Sequence, residues 1–189
     1  MSTLPILTET QTLRLPADPT AARWFAAYTC ANHEKRVREQ LEQRWVESFL
    51  PVYESVRRWK DRRVRLEMPL FSGYIFVHIA PVNRLHVLQI PGVVRLVGFN
   101  GELTPLPDDE IESLKRGLAA GVRAEPHPFL RIGRRVRMRS GPFEGREGIL
   151  LRKKGKFRLV LSIELILRSV VIDVDAADVE HLPASNRAQ

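Results

Sequence analysis

The strongest constraint on the fold is a change of pattern at residues 121–128, where Gly121, Pro126 and Pro128 interrupt the chain. Before this segment, apolar runs with strand character alternate with runs of helical period. After it, only short strands separated by Gly and Pro turns follow. The sequence therefore predicts an α+β domain, a linker and a small all-β barrel. The predicted boundaries are 1–21 for an N-terminal tail, 22–120 for the α+β domain, 121–128 for the linker, 129–183 for the barrel and 184–189 for a C-terminal tail.

Several segments of the first domain have strand character. The clearest is 74–79, in which β-branched and aromatic residues predominate. Segments 24–29 and 93–97 are short and apolar, and 49–53 contains a proline that favours an edge or a bulge. The basic segment 57–65 predicts an exposed hairpin or loop.

Helices are predicted between these strands. An amphipathic helix is indicated at 34–44, with Asn32 as its candidate N-cap, and another at 110–119, with Asp108 as its candidate N-cap. A short helix is predicted at 83–89. Helices and strands thus alternate through the first domain.

The chain is basic, with a formal net charge of +8 and a sequence pI near 10.2. Such an excess favours polyanionic partners, although it also serves solubility, and the charge alone leaves both interpretations open. The single cysteine, Cys30, excludes an internal disulfide. No apolar run approaches the roughly 20 residues that span a bilayer. We expect a soluble cytoplasmic monomer.

The sequence lacks the patterns that indicate an enzyme. It has no Gly-Lys-Ser/Thr phosphate loop, no serine nucleophile elbow and no Cys/His cluster with metal-ligand spacing. We therefore predict no catalytic residue, no metal and no cofactor.

A series of motifs, in order along the chain, resembles the NusG family of transcription elongation factors. They are WF at 24–25, FSGYIFV at 71–77, PGVVRLVG at 91–98, PLP at 105–107, IG at 132–133 and GPFEG at 141–145. The first four resemble the family's N-terminal domain, an antiparallel sheet flanked by helices, and the last two resemble the KOW motif of its second domain. The resemblance covers about 22–183. One departure is Ser72, where the family has proline.

Finer features resemble the specialised paralogues of the family, the UpxY-type antiterminators related to RfaH. These features are HEKRV at 33–37, FLP at 49–51 and KGKFRLV at 154–160. This resemblance implies action on selected operons. In RfaH the second domain adopts a helical fold that covers the polymerase site. Here the β-branched run 170–172 beside the mixed segment 162–168 predicts a stable barrel instead.

The resemblance implies that the first domain docks on the coiled-coil clamp helices of the largest RNA polymerase subunit. The matching positions form an apolar patch of Trp24, Tyr28, Phe71, Tyr74 and Phe76. Aromatic side chains suit such a contact because they bury a large area at low cost in side-chain entropy. The same residues are also consistent with an ordinary core, and both interpretations stay open.

Two further contacts with the transcription complex follow from the resemblance. Segment 81–86 matches the polymerase gate-loop contact of the specialised relatives, with candidate residues Asn83, Arg84 and His86. The helix near residue 34 matches the face that contacts non-template DNA. Its candidate residues are Asn32, His33, Arg36 and Arg44. A connecting helix and a solvated helix face are the respective alternatives.

In the barrel, Phe143 matches an exposed family position that contacts ribosomal protein or Rho, and a core-capping role stays open beside it. The sequence thus predicts a factor that binds RNA polymerase in the elongation complex and suppresses pausing or termination. The alternative is an RNA-binding or ribosome-associated module that uses the barrel and the basic segments.

Overall fold

The computed structural model describes residues 16, 18–59, 62–130, 133–153 and 156–182, with backbone only at 57–59, 152, 153, 156 and 176. Most of the predicted N-terminal tail, all of the C-terminal tail and the ends of two barrel motifs lie outside these residues. The α-helices are α1 (Glu34–Gln43), α2 (Arg84–Leu88) and α3 (Asp108–Ala119). The strands are β1 (Arg23–Thr29), β2 (Glu47–Phe49), β3 (Val52–Trp59), β4 (Arg62–Pro69), β5 (Tyr74–Ile79), β6 (Val93–Leu96), β7 (Gly98–Phe99), β8 (Glu102–Leu103), β9 (Ala124–His127), β10 (Arg134–Met138), β11 (Glu147–Lys153), β12 (Lys156–Ile163), β13 (Arg168–Val174) and β14 (Val179–His181).

The first domain is built on an antiparallel sheet of order β2-β5-β1-β6. In the central pair, Phe25 lies opposite Val77 and Ala27 opposite Ile75, and these side chains are buried on one face. Helix α1 covers that face with Val37 and the next apolar residue of its stripe, one turn later. The predicted sheet flanked by helices is confirmed.

The opposite face of the sheet packs against α3. Period-2 alternation places Trp24, Ala26 and Phe76 there, and Ile111 and Leu114 of α3 belong to the same hydrophobic cluster. Full burial of each large apolar side chain stabilises the fold by about 1.5–3 kcal/mol. The sheet is therefore apolar on both faces because each face has its own cover.

Both predicted helix caps are wrong. The N-cap of α1 is His33, without a side-chain cap, and Asn32 has a left-handed backbone with φ 61°. Asparagine tolerates this conformation better than most residues, so it makes the turn into the helix. Helix α3 begins at Asp108, after Pro107. The acidic side chains of its first turn interact favourably with the positive end of the helix dipole.

The segment predicted as one strand at 49–53 is two strands. Strand β2 ends at Phe49, and β3 begins at Val52 after the Leu50-Pro51 break. Strands β3 and β4 form a separate antiparallel ribbon with Val52 opposite Pro69 and Trp59 opposite Arg62. Of the two forms predicted for 57–65, hairpin or loop, the described residues form the hairpin.

The second domain is a six-stranded antiparallel sheet of order β14-β10-β11-β12-β13-β9. Its core includes Val136, Leu159, Val170 and Ile172. A 3₁₀ turn at Glu164–Ile166 joins β12 to β13. The predicted all-β fold of the second domain is confirmed, and the segment of mixed character forms the end of β12, the 3₁₀ turn and the start of β13.

The range predicted as a linker contains strand β9, which pairs with β13 at the edge of the barrel sheet. Proline predicts irregular structure, but an edge strand tolerates it because one side of the strand needs no hydrogen-bond donor. Pro126 occupies such a position, opposite Val170. The irregular connection from α3 is therefore shorter than predicted.

The two domains share one hydrophobic cluster. It joins Phe71 and Leu114 of the first domain to Phe143, Ile166 and other apolar residues of the barrel. The barrel thus packs on the α3 side of the first sheet, opposite α1.

Candidate functional site

The structure brings the five aromatic candidates together on one face, named here the aromatic face: Trp24, Tyr28, Phe71, Tyr74 and Phe76. Tyr28 and Tyr74 lie opposite each other in the β1–β5 register, with ring centroids 5.3 Å apart. The Phe71 ring meets the Phe76 ring edge-on at 5.6 Å. Accessible aromatic side chains are typical of interface anchors, whereas buried ones are typical of a core.

Exposure differs along the aromatic face. Trp24, Phe71 and Phe76 are buried, whereas Tyr74 is half-buried and Tyr28 is 36% exposed. The Lys115 ammonium lies over the Trp24 ring, 4.1 Å from the ring centroid, and the His78 ring lies beside the Trp24 ring. The two tyrosines form the accessible margin, and the other three aromatic residues belong to the core.

The turn between β4 and β5 is held by Glu34, a residue that the sequence did not single out. Its buried carboxylate accepts a hydrogen bond from the backbone N–H of Gly73 at 2.7 Å. Gly73 has φ 81°, and a Cβ atom there would meet the Tyr28 ring at 3.2 Å. Helix α1 therefore positions the turn that carries Phe71 and Tyr74.

The barrel reaches the margin of the aromatic face. The Arg168 guanidinium of β13 lies 5.7 Å from the centroid of the Tyr74 ring, in a cation–π contact. Phe71, Phe76 and Tyr74 all belong to or pack against the cluster shared with the barrel. In this arrangement, the barrel covers part of the surface that a partner would need.

Phe143 packs directly against the first domain. It lies in the turn after β10, is 2% exposed and packs against Gly117 in the middle of α3. A Cβ atom at position 117 would lie 2.0 Å from the ring atom Cζ. Phe143 is therefore buried by the first domain. It is neither at an exposed position nor a simple cap of the barrel core, the two roles left open from the sequence.

Arg146 adds polar contacts to the same interface. Its guanidinium bonds to Asp109 at 2.6 Å and lies 3.2 Å from Glu110, both in the first turn of α3. Burial raises the pKa of the Glu110 carboxyl above its ordinary value, and the Arg146 charge partly offsets this rise. These contacts are named here the Arg146 ion pairs. The only sequence signal was the acidic start of the helix.

The DNA candidates lie along α1. Asn32, His33 and Arg36 are exposed at its start, and Arg44 is exposed after its last turn. At 1.5 Å per residue, the two ends of α1 are about 15 Å apart, so the four residues are distributed over the length of the helix. The His33 ring bonds locally, with Nδ1 3.0 Å from the Ala31 carbonyl oxygen.

The gate-loop candidates lie at the start of α2. Asn83 and His86 are exposed, and Arg84 is half-buried. Arg44 donates a hydrogen bond to the backbone carbonyl of His86 at 3.0 Å. This hydrogen bond therefore joins the C-terminal end of α1 to α2.

The described basic residues of the barrel are partly engaged in ion pairs. Glu147 accepts hydrogen bonds from Arg135 at 2.7 Å and from Arg137 at 2.6 Å. The Arg137 hydrogen bond is the main cause that lowers the pKa of the Glu147 carboxyl. Arg158 similarly bonds to Glu125 at 2.9 Å and lowers its pKa. The candidate basic side chains at 152–154 and 156 lie outside the described side chains.

Among the described residues, no group of three or more His, Cys, Asp or Glu side chains is placed to hold a metal ion. Within the same part of the chain, no helix has the length and apolar character needed to cross a membrane.

Comparisons with known proteins identify a family model and relatives that match this chain. The family model "Transcription termination factor nusG" matches residues 22–115. The protein "Transcription termination/antitermination protein NusG" of Staphylococcus carnosus is 26% identical over 179 residues, covering 86% of this chain and 97% of that protein. The protein of the same name from Lactococcus lactis is 27% identical over 175 residues, covering 85% and 94% respectively.

A solved structure has the same fold. It is described as "Domain interaction in Thermotoga maritima NusG", and its TM-score is 0.55 at 21% identity, with 87% of this chain and 99% of that chain covered. Together, the family-model match over the first domain and the relatives that align over both domains show that this chain belongs to the NusG family.

Proposed function

We propose that the chain binds RNA polymerase in the elongation complex through the aromatic face and suppresses pausing or termination on selected operons. The relatives that align with both domains are transcription termination/antitermination proteins. The observation that carries the proposal is the contiguous aromatic face on β1, β5 and the turn before β5. Tyr28 and Tyr74 form the accessible margin of this face, with tilted rings 5.3 Å apart, and accessible aromatic side chains of this kind are typical of interface anchors.

The interface between the domains adds a condition to this proposal. Since Arg168 of the barrel contacts Tyr74, a polymerase helix at this margin would compete with that contact. If the barrel moves away on binding, the affinity is reduced according to the fraction of molecules in which it is docked. The shared cluster and the Arg146 ion pairs determine that fraction.

The finer contacts are part of the same proposal. Asn32, His33, Arg36 and Arg44 lie along α1 and would contact the non-template strand. Asn83, Arg84 and His86 would contact the gate loop on the opposite wall of the cleft. Phe143, once released from α3, would contact a barrel partner, ribosomal protein or Rho. Bridging both walls of the cleft would favour the closed clamp over the open one that accompanies pausing.

The test compares binding of the full-length chain to nucleic-acid-free RNA polymerase, to elongation complexes and to free RNA and DNA. The informative variant is Tyr28→Ala/Tyr74→Ala, because these two side chains are accessible and their loss spares the core. We expect selective binding to polymerase, and at least about a tenfold loss of affinity in the double variant, as for interface hot spots.

The matched control is Phe99→Ala, since Phe99 is a 67% exposed aromatic residue on the β7–β8 hairpin, away from the aromatic face. Its polymerase affinity should equal that of the wild type. Equal affinity of the double variant and the wild type would contradict the proposal. Binding to free RNA without preference for polymerase would instead favour the RNA-binding module.

A further inference from the structure

The free edge of strand β3 borders an open groove, named here the β3 groove. It has a volume of about 690 Å³ and lies between the start of β3 and the C-terminal end of α3. Three consecutive residues of the strand, Val52, Tyr53 and Glu54, line it. Consecutive residues of a strand point to opposite faces of a sheet, so a groove that touches all three runs along the strand edge. Of the described side chains of β4, only Arg65 lines the groove.

The register of the β3–β4 pair determines which backbone groups point to this edge. In an antiparallel pair, residues that bond to the partner strand alternate with residues whose N–H and C=O point away from it. The N–H of Leu70 donates to the Pro51 carbonyl at 2.8 Å, which sets the alternation, and the pairing continues without a shift. The backbone groups of Val52, Glu54 and Val56 therefore point away from β4. All three residues line the β3 groove.

This edge of β3 has no strand beside it in the part of the chain that the structure describes. Strand β3 pairs with β4 alone in the described sheets. An unpaired edge is a template for another strand, and proteins often block such edges with a proline or a bulge. The edge strand β9 carries Pro126, whereas segment 52–56 has neither a proline nor a register shift, and Val56 is 59% exposed. The β3 edge is therefore open to pairing.

The wall of the groove opposite β3 is apolar. Leu118 of α3 and Val122 just after the helix line it, together with Ala124 at the start of β9. Leu118 and Val122 are half-buried and pack on the core shared with the barrel, so this wall is fixed. A strand added to β3 would place alternate side chains against this wall.

The rim of the groove is basic. Arg65 and Arg123 line it, and both side chains are exposed. Glu54 lies 4.0 Å from Arg65, an exposed pair of this length being weak. Glu125 pairs with Arg123 at 3.0 Å but also with Arg158 at 2.9 Å, so one carboxylate faces two guanidinium groups. Positive charge is thus in excess beside the groove and complements an acidic partner.

From these observations we infer that the β3 edge binds an extended peptide segment of another protein by strand addition, and that this segment carries apolar and acidic side chains. In this mode, main-chain hydrogen bonds provide affinity, and the surroundings of alternate side chains provide specificity. Here the outward backbone groups of β3 would bond to the added strand. Leu118 and Val122 would contact its apolar side chains, and Arg65 and Arg123 its acidic ones.

The β3 groove is separate from the aromatic face. None of its lining residues belongs to that face. Strand addition does not require that the aromatic face bind polymerase, and the assay below contains neither polymerase nor nucleic acid. A failure of strand addition would therefore leave the proposed function standing, and the reverse also holds.

The test measures binding of a fluorescein-labelled peptide, Val-Glu-Val-Glu-Val-Glu-Val, to the full-length chain by fluorescence anisotropy. The informative variant is Glu54→Pro, which removes an outward N–H and no hydrogen bond to β4, a position at which an edge strand tolerates proline. The matched control Glu54→Ala removes the same side chain and keeps the N–H. Circular dichroism and thermal unfolding of both variants should match the wild type.

Two further measurements leave the protein unchanged. The first uses the same peptide with every backbone nitrogen methylated, which keeps the side chains and removes all main-chain donors. The second follows amide hydrogen exchange by nuclear magnetic resonance, in which the N–H groups of Val52, Glu54 and Val56 should exchange more slowly when the unmodified peptide is bound.

We expect Glu54→Pro to bind the peptide at least about fivefold more weakly than Glu54→Ala, because a main-chain hydrogen bond is lost and the ring obstructs the edge. The methylated peptide should bind the wild type more weakly than the unmodified one. Equal affinities in either comparison would overturn strand addition, and so would a wild type that binds no peptide. A chain that dimerises in sedimentation experiments, and no longer does so as Glu54→Pro, would assign the edge to a second copy instead.

A second pair of variants tests the charge of the partner. Arg65→Ala/Arg123→Ala should bind the peptide at least about threefold more weakly than Arg134→Ala/Arg139→Ala, as for two exposed ion pairs. The control removes two exposed arginines of the barrel with the same change in net charge. A Val-Lys peptide of the same length should bind the wild type more weakly than the Val-Glu peptide, and equal affinity for the two would overturn the acidic partner.

Discussion

The ring of Phe143 occupies the space that a side chain at position 117 would need. A Cβ atom built on Gly117 lies 2.0 Å from Cζ, 2.2 Å from Cε2 and 2.9 Å from Cε1 of Phe143. Gly117 lies in the interior of α3, where glycine is about 1 kcal/mol less favourable than alanine. The absence of a side chain therefore weakens the helix and allows the barrel to dock.

The substitution Gly117→Ala should open the interface between the domains while it stabilises α3. The expected result is a larger radius of gyration by small-angle X-ray scattering, with an unchanged or slightly increased helical signal in circular dichroism. The physical reason is that the methyl group and the Phe143 ring cannot occupy the same space.

A second substitution provides the control for that result. Leucine lacks all three distal ring atoms that the new methyl group would meet, so Gly117→Ala/Phe143→Leu should restore the compact form. If the double variant is as expanded as Gly117→Ala, a cause other than this contact separates the domains. An unchanged radius of gyration in Gly117→Ala would contradict the role of the contact.

Removal of the Arg146 ion pairs should shift the same equilibrium by a smaller amount. The variant Arg146→Ala is expected to favour the open form by about 1 kcal/mol, or about fivefold, because Asp109 is exposed and solvent weakens its contribution. Fluorescence energy transfer between dyes on the two domains would measure the shift. Arg139→Ala, at an exposed arginine of the barrel, should leave the transfer efficiency unchanged, and an equal effect of both variants would refute the specific role of Arg146.

Glu34 should be a stability determinant of the first domain. The variant Glu34→Ala leaves the Gly73 N–H without its carboxylate acceptor, which should lower the free energy of unfolding by about 1.5–3 kcal/mol. Glu34→Gln keeps an acceptor oxygen and should lose less. Urea unfolding measures both values, with Glu39→Ala, on an exposed position of the same helix, as the control. Equal losses for Glu34→Ala and Glu39→Ala would show that the hydrogen bond contributes nothing.

The barrel should lose stability in acid through Glu147. Its pKa is lowered in the folded protein from the ordinary value of 4.5, mainly by the Arg137 hydrogen bond. A lowered folded pKa means that the stabilisation is present above pH 4.5 and is lost as pH falls through the folded pKa. Urea midpoints of the wild type should therefore fall in that window, and those of Glu147→Gln should fall less steeply. Arg135→Ala/Arg137→Ala should flatten the profile similarly, whereas a Glu147→Gln profile parallel to that of the wild type would contradict the assignment.

The sequence predicted the parts of this fold that depend on local pattern. Strand β5 combines period 2 with β-branched and aromatic residues, and this alternation predicts that Tyr74 and Phe76 share a face. The signals that failed were local features with a tertiary role. Pro126 resembled a linker residue because its edge-strand partner, β13, lies more than forty residues away in the sequence.

The interface between the domains could not be predicted from the sequence for the same reason. A glycine inside a helical pattern lowers helix propensity, and this local signal at Gly117 does not say why the position needs glycine. It did not indicate Phe143, because the two residues are brought together only when both domains have folded. Likewise, Glu34 appeared as one more charge at the start of a helix, and its partner is the backbone N–H of Gly73.

The most direct test of the central claim measures RNA polymerase affinity in three proteins: the wild type, Gly117→Ala, and Gly117→Ala with Tyr28→Ala/Tyr74→Ala. If the barrel covers the polymerase-binding surface, Gly117→Ala should bind nucleic-acid-free polymerase more tightly than the wild type, and the two tyrosine substitutions should abolish that gain. If Gly117→Ala expands the molecule without tighter binding, the barrel does not cover the polymerase-binding surface. If its tighter binding survives the loss of both tyrosines, the aromatic face is not that surface.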